Sequence, residues 1–347
     1  MMNSYASNAT LSKALSMYGK RLTAKEYSDL IGCRNVGEIA SYLKHRTYYG
    51  AVLKEINENE IHRGQLESIL RRKLFFDFSG LARYELSVGE KFYEYIISMT
   101  EIDQIMRILA LMSSGNSIEY IYSMPVFFDK HTHIDLQSFS KIKDYNDLLN
   151  STSKSEYYRI LKSLAPHEGE QINLTKIETA LYTHLYNKVF DVIENHTGGK
   201  AQYELKDIFN SYVDFTNFVR ILRLKKYYSV SPEYIKECLL PFGNLKKYQI
   251  DKMIECDDIN EIFSIMKQTS SGKKINNIEF TYPDEIPTKI KFSMCKHYIR
   301  FSVHPSVVMI SYMFLSQIEL ANIITIIEGI RYQLPADEIR KMIVYTN

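Results

Sequence analysis

A chain of 347 residues is long for a single core and comfortable for two or three units of about 100–150 residues each. Its 45% hydrophobic and 24% charged content is ordinary for a folded protein, and a net charge of +2 excludes the strong global field that draws nucleic acid. The absence of Trp, with 27 Tyr, 14 Gly and 8 Pro, points to long regular elements with few turns, hence helices.

Cys33, Cys238, Cys256 and Cys295 show no C-x-x-C spacing, which argues against a zinc site or a disulfide framework and for reduced thiols in the cytosol. In chain order, Met1 to Asn8 lacks the basic-then-apolar pattern of a signal peptide. Residues 5–20 put Leu11, Ala14, Leu15 and Tyr18 on one side of a helix. Thr23-Ala-Lys-Glu26 is a capping box that starts a helix carrying Tyr27, Leu30 and Ile31. A second apolar stripe runs from Val36 to Thr47, and a longer helix surrounds Gln65 to Leu74. The next starts at Gly89 and ends in Glu101-x-x-Gln104-x-x-Arg107-Ile-Leu.

That order then recurs. Tyr145-Asn-Asp147-Leu148 matches Tyr27-Ser-Asp29-Leu30, and Glu156 with Leu161 matches Glu38 with Leu43, at an offset of 118. Ile177-Glu178 with Leu181 and Leu185 matches Leu66-Glu67 with Leu70 and Leu74 at 111. Gly198-Gly199 separates two long helices, the second ending in Asp214-x-x-Asn217-x-x-Arg220-Ile-Leu. A third round places Met253-Ile254, Glu261-Ile262 and Met266 at an offset of 223 from the first, but nothing after Pro287 corresponds to Glu67 or Glu178. Val307 to Ile327 holds one charge, Glu319, over a length able to cross a bilayer. Its Ser311, Ser316, Gln317, Asn322 and Thr325, and the charged helices it corresponds to, argue for a buried core helix.

The third copy reads Glu319-x-x-Asn322-x-x-Thr325, followed by Gly329, Pro335 and Ile339. The acids Glu101, Asp214 and Glu319 are 113 and 105 residues apart, and such a period dictates architecture. It implies three units, 1–115, 116–228 and 229–347, each a run of short helices with two long ones. The expected fold is all-α, with the three pseudo-repeated domains forming a funnel- or arch-like body. Positions i, i+3 and i+6 form one polar spiral beside the Ile/Leu face of a helix. Glu101, Gln104, Arg107, Asp214, Asn217, Arg220, Glu319 and Asn322 are therefore the candidate structural or interface residues, with Gly329 from the stretch after the third copy. The expected role of the polar stripe is to satisfy buried backbone groups and pair with a neighbouring unit; a direct partner contact is the alternative.

Chemistry is sparse elsewhere. His131-Thr-His133-Ile-Asp135 is the best metal candidate, and a metal-dependent hydrolase would use that pair. Its polar surroundings instead suggest a solvated loop with two incidental histidines. Ser270-Ser-Gly272-Lys273-Lys274 lacks the first glycine and the strand of a phosphate-binding loop, so no bound nucleotide, cofactor or catalytic set is expected. A helical scaffold of some other soluble complex would fit the same residues.

One family matches these patterns. Leu22-Thr-x-x-x-Tyr27-x-x-Leu30, Glu38-x-x-x-x-Leu43-x-x-x-Thr47-Tyr48, and above all Tyr312-x-x-x-x-x-x-Glu319-x-x-Asn322-x-x-x-Ile326-x-x-Gly329-x-x-x-x-x-Pro335-x-x-x-Ile339 resemble the C subunit of V/A-type ATP synthases and ATPases, the relative of the d subunit of eukaryotic V-type ATPases. The resemblance runs the whole length. It implies a non-catalytic central-stalk rotor subunit, peripheral on the cytoplasmic face of the membrane. Its partners would be the D/F-type shaft subunits and the c/K proteolipid ring, with ATP chemistry carried out on other subunits.

Overall fold

The computed structural model describes every residue except Met1, Leu86, Ser87, Ser123, Ser229, Thr346 and Asn347; the side chains of residues 2–7, Ile118, Ile121 and Tyr122 also lie outside the description. Most of the N-terminal segment weighed against a signal peptide falls among these. All regular structure among the described residues is helical, as the composition leads one to expect.

Helix α1 (Met2–Tyr18) precedes three short ones, α2 (Ala24–Ile31), α3 (Val36–Arg46) and α4 (Gly50–Leu53). A long pair follows, α5 (Arg63–Ala82) and α6 (Gly89–Ser113). Short helices α7 (Leu136–Phe139), α8 (Tyr145–Ser151) and α9 (Tyr158–Ser163) come next, then the long pair α10 (Leu174–His196) and α11 (Gly199–Arg223). The third round is α12 (Pro232–Glu237), α13 (Lys247–Glu255), α14 (Ile259–Lys267) and a 3-10 turn, Gly272–Asn277. The long α15 (Ile286–Phe301) and α16 (Pro305–Arg331) and the short α17 (Ala336–Met342) complete it.

Local chemistry sets these boundaries. The Thr23 hydroxyl accepts the Glu26 amide while the Glu26 carboxylate accepts the Thr23 amide, so the expected capping box opens α2. Gly199, at a left-handed φ of 56°, makes the expected break between α10 and α11.

The chain forms two compact units. One contains residues 1–90, 197–208 and 278–347; the other contains 91–196 and 209–277. They do not follow the division at 115 and 228, which is one of sequence repetition. In the first unit α16 is the central element, packed by α15, α1 and α5. Its 27 residues span about 40 Å. Its apolar stretch is 83% buried, with every residue from Ser306 to Ser316 inside, so the span long enough for a membrane is the core of this unit. The second unit has an aromatic centre: Phe190 stacks on Phe242 at 5.1 Å, and Phe209 takes Tyr95 edge-on at 5.8 Å.

The structure corrects one register read from sequence. Asp144 caps the Asp147 amide while Asp147 accepts the Lys143 amide; Asn35, Glu38 and Arg34 make the same arrangement at the start of α3. Helix α8 is thus the counterpart of α3, at an offset of 109, and not of α2 at 118. The offset of 223 holds well: α13 and α14 begin 223 residues after the corresponding starts of α2 and α3. Gly50 and Gly272 each press against the carbonyl of the residue six before them, Lys44 and Met266.

Candidate functional site: three buried acid sockets

Each copy of the polar stripe puts its acid at or just past the middle of a long helix, where a set of short helices, a clasp, closes over it. The clasps comprise α2–α4, α7–α9, and α13, α14 and the 3-10 turn Gly272–Asn277.

Glu319 on α16 is fully buried. Its Oε2 accepts the Leu22 amide at 2.9 Å, and its Oε1 accepts the hydroxyls of Tyr48 at 2.6 Å and Tyr49 at 3.0 Å. Arg21 approaches with Nε at 3.3 Å and donates to the Leu315 carbonyl. The Lys73 ammonium lies 4.6 Å over the Tyr48 ring. Burial, followed by the charge of Glu319, drives the Tyr48 and Tyr49 phenols well above their ordinary range, so both stay protonated donors.

Asp214 on α11 is equally buried. It accepts the amides of Asn244 at 2.9 Å and Leu245 at 3.1 Å, and the Ser271 hydroxyl at 2.5 Å. Gly243 makes this possible: its φ is 110°, and a Cβ there would lie 2.1 Å from Asp214 Oδ1. Burial pushes the Asp214 carboxyl above the usual range, against the pull of those three donors and of Lys274.

Glu101 on α6 is the third. It accepts the Thr132 hydroxyl at 2.9 Å, the Tyr157 hydroxyl at 2.7 Å and the His133 amide, with His133 Nδ1 3.2 Å away. The second histidine, His131, shares a hydrogen bond with Tyr93 through Nδ1. The histidine loop is therefore a wall of the Glu101 socket through Thr132 and the His133 backbone, while the His133 side chain itself stays 60% exposed. Among the described residues no group of three His, Cys, Asp or Glu is arranged to hold a metal.

The amides stand one turn further along and do one job twice. Asn322 donates to the Val344 carbonyl at 2.7 Å and accepts the Val344 amide at 2.9 Å, with a further bond to the Tyr27 hydroxyl. Asn217 makes the same two-way pair with Leu240, both bonds at 2.9 Å. Gln104 accepts the Tyr120 hydroxyl at 3.0 Å. Each amide thus holds the segment that follows its own helix. The arginines diverge: Arg220 bonds Thr179, the Cys238 carbonyl and Glu178, while Arg107 lies near the Tyr120 phenol. Gly329 lets α17 approach, since a Cβ there would sit 2.6 Å from Ile339 Cγ1.

The acid and amide of each copy are brought together with clasp and follower segments, not with one another. Of the hydroxyl donors, Tyr48 stands within the family motif, whereas Tyr49, Tyr157 and Ser271 have no role assigned from the sequence. Tyr48 and Tyr157 share the offset of 109, and Tyr48 and Ser271 that of 223, which is the signal that could have found them. The first two acids are served by the clasp that follows them in the chain. The third is served by the N-terminal clasp, 297 residues before it.

Comparison with known proteins is consistent along the chain. Over 340 residues it is 21% identical to the C subunit of the A-type ATP synthase of Methanosphaera stadtmanae, covering 94% of this chain and 84% of the relative. It is 26% identical over 289 residues to that of Methanococcoides burtonii, covering 80% and 78%, and 24% identical over 212 residues to that of Archaeoglobus fulgidus, covering 58% and 57%. The profile described as ATP synthase (C/AC39) subunit matches residues 12–342, and with that span the chain belongs to this family.

Proposed function

We propose that this chain is a non-catalytic central-stalk subunit of a V/A-type rotary ATPase or ATP synthase, joining the D/F-type shaft to the c/K proteolipid ring so that torque passes between ATP chemistry and ion transport. The relatives' shared name, matched over 94% of this chain in one case, is the observation that carries the reading. It makes the chain a subunit of a membrane-associated ATP synthase complex.

The sockets support the finer role. A torque coupler needs stiffness and broad contact, not reactive groups. Here three carboxylates are sealed from water and committed to three or more donors each, which locks every clasp to a long helix. The three acid–amide copies are proposed as three pseudo-equivalent bodies, and the stripe as internal packing rather than a partner contact. A body with such repetition can offer similar surfaces more than once to a ring of identical subunits.

The test is capture of the tagged chain from detergent-solubilised membranes. Shaft subunits and proteolipid should come with it, on the cytoplasmic side, and the purified chain alone should hydrolyse no ATP. Recovery with an unrelated soluble complex, or ATPase activity of the chain itself, would overturn the assignment.

A further inference from the structure

In the first compact unit, the turn between α15 and α16 carries the two most exposed large apolar side chains among the described residues of that unit. Phe301 is 69% exposed and Val303 71%, with Tyr203 at 68%. Between them Ser302 is buried, and its hydroxyl donates to Glu204 at 2.5 Å. Ser302 is extended, so the residues on either side of it are turned the opposite way. Tyr298 donates to Asp207 at 2.8 Å, a second bond between this corner and the start of α11. The apolar pair is therefore held outward by a buried polar anchor.

The fully exposed charge beside the pair is cationic. His297 and Arg300 are exposed on the last turns of α15, with Lys296 half-buried beside them. The His297 ring rests on Phe301 at 4.9 Å, and the Lys200 side chain is 70% exposed. The two neighbouring acids are engaged: Glu204 is buried under Ser302 and Lys200, and Asp207 holds the Tyr298 phenol.

We propose that this turn docks on an anionic lipid bilayer surface. Phe301 and Val303 enter the headgroup region, and Arg300 and Lys200 face its phosphates and carboxylates. Apolar side chains within a rim of cations match the chemistry of the membrane interface. A protein partner fits less well. Two apolar side chains on one turn, with Tyr203 on α11, fall far short of the roughly 1,200–2,000 Å² of a stable protein interface, whereas a bilayer demands no matching shape. The inference goes beyond the rotor reading, which concerns protein subunits, and it applies to the chain by itself.

Because the chain has no Trp, Phe301→Trp installs a single indole reporter in the full-length protein. Its emission should move to shorter wavelength with phosphatidylcholine vesicles carrying about one-third phosphatidylserine, not with phosphatidylcholine alone, and the shift should fade as salt rises. In co-sedimentation with the same vesicles, F301D/V303D should weaken binding at least about tenfold and Arg300→Glu about fivefold. All these positions are exposed, so melting temperatures should hold. Tyr248→Asp, at a 64% exposed aromatic in the second unit, should leave binding unchanged. The proposal is overturned if anionic vesicles shift nothing, if Tyr248→Asp costs as much as F301D/V303D, or if the indole responds only to the stalk subunits.

Discussion

At the level of single residues, Asn322 and its partners offer the sharpest test. Asn322→Leu removes both bonds to Val344 and leaves a backbone amide and carbonyl without partners, at about 1–3 kcal/mol. The isolated chain should melt lower, and any loss of stalk binding should follow folding alone. An unchanged melting temperature with collapsed binding would turn the stripe into a partner site. The phenols give a second test. Tyr27, Tyr48 and Tyr49 are held protonated around Glu319, primarily by burial. A tyrosine whose folded pKa exceeds the ordinary value near 10 keeps its proton after the unfolded chain has lost its own. Stability is therefore full below about pH 10 and lost as pH rises beyond it. Part of the tyrosinate absorbance should appear together with loss of helical circular dichroism, not before it. The acids and amides were legible in the sequence because they repeat in chemical type. Their donors were not, because one socket uses two tyrosines, another a tyrosine and a threonine, and the third a serine, and backbone amides leave no mark on a sequence.

At the level of elements, close approach decides which glycines matter. A Cβ on Gly272 would meet the Met266 carbonyl oxygen at 1.7 Å, and backbone cannot yield as a flexible side chain would. Gly272→Ala should cost about 1–3 kcal/mol in denaturant unfolding. Gly198→Ala, with nothing within 4 Å, should be neutral or stabilising by up to about 1 kcal/mol. Equal effects at the two sites would contradict the packing of the third clasp. Gly329→Ala should loosen α17 selectively, seen as faster hydrogen exchange over residues 336–342 with the rest of α16 unaffected. The long helices and their breaks were legible from apolar period and from Gly198-Gly199. The second clasp was misread because the Tyr-x-Asp-Leu pattern of α2 recurs in α8, whereas capping geometry aligns α8 with α3. Three matched letters are a weaker guide to register than one matched cap.

At the level of the whole molecule, the proposed rotor role predicts that a complex reconstituted without this chain keeps ATP hydrolysis in its soluble sector but loses ATP-driven ion uptake. Retained coupling would place torque transfer elsewhere. The N-terminal clasp carries a further consequence, one concerned with synthesis. Leu22 and Glu319 lie 297 residues apart, and ribosomes add about 5–20 residues per second. The clasp therefore leaves the ribosome roughly 15–60 s before the carboxylate that will bind its amide and its two tyrosines. Throughout that interval the apolar side that α16 later covers has no lid. Nascent chains stalled ahead of α16 should be cut by protease within residues 22–61 and held by chaperones, while chains extended past α17 should resist. Equal resistance in both would mean that the clasp stands on its own, and that the last long helix made is not what finishes the first part of the fold.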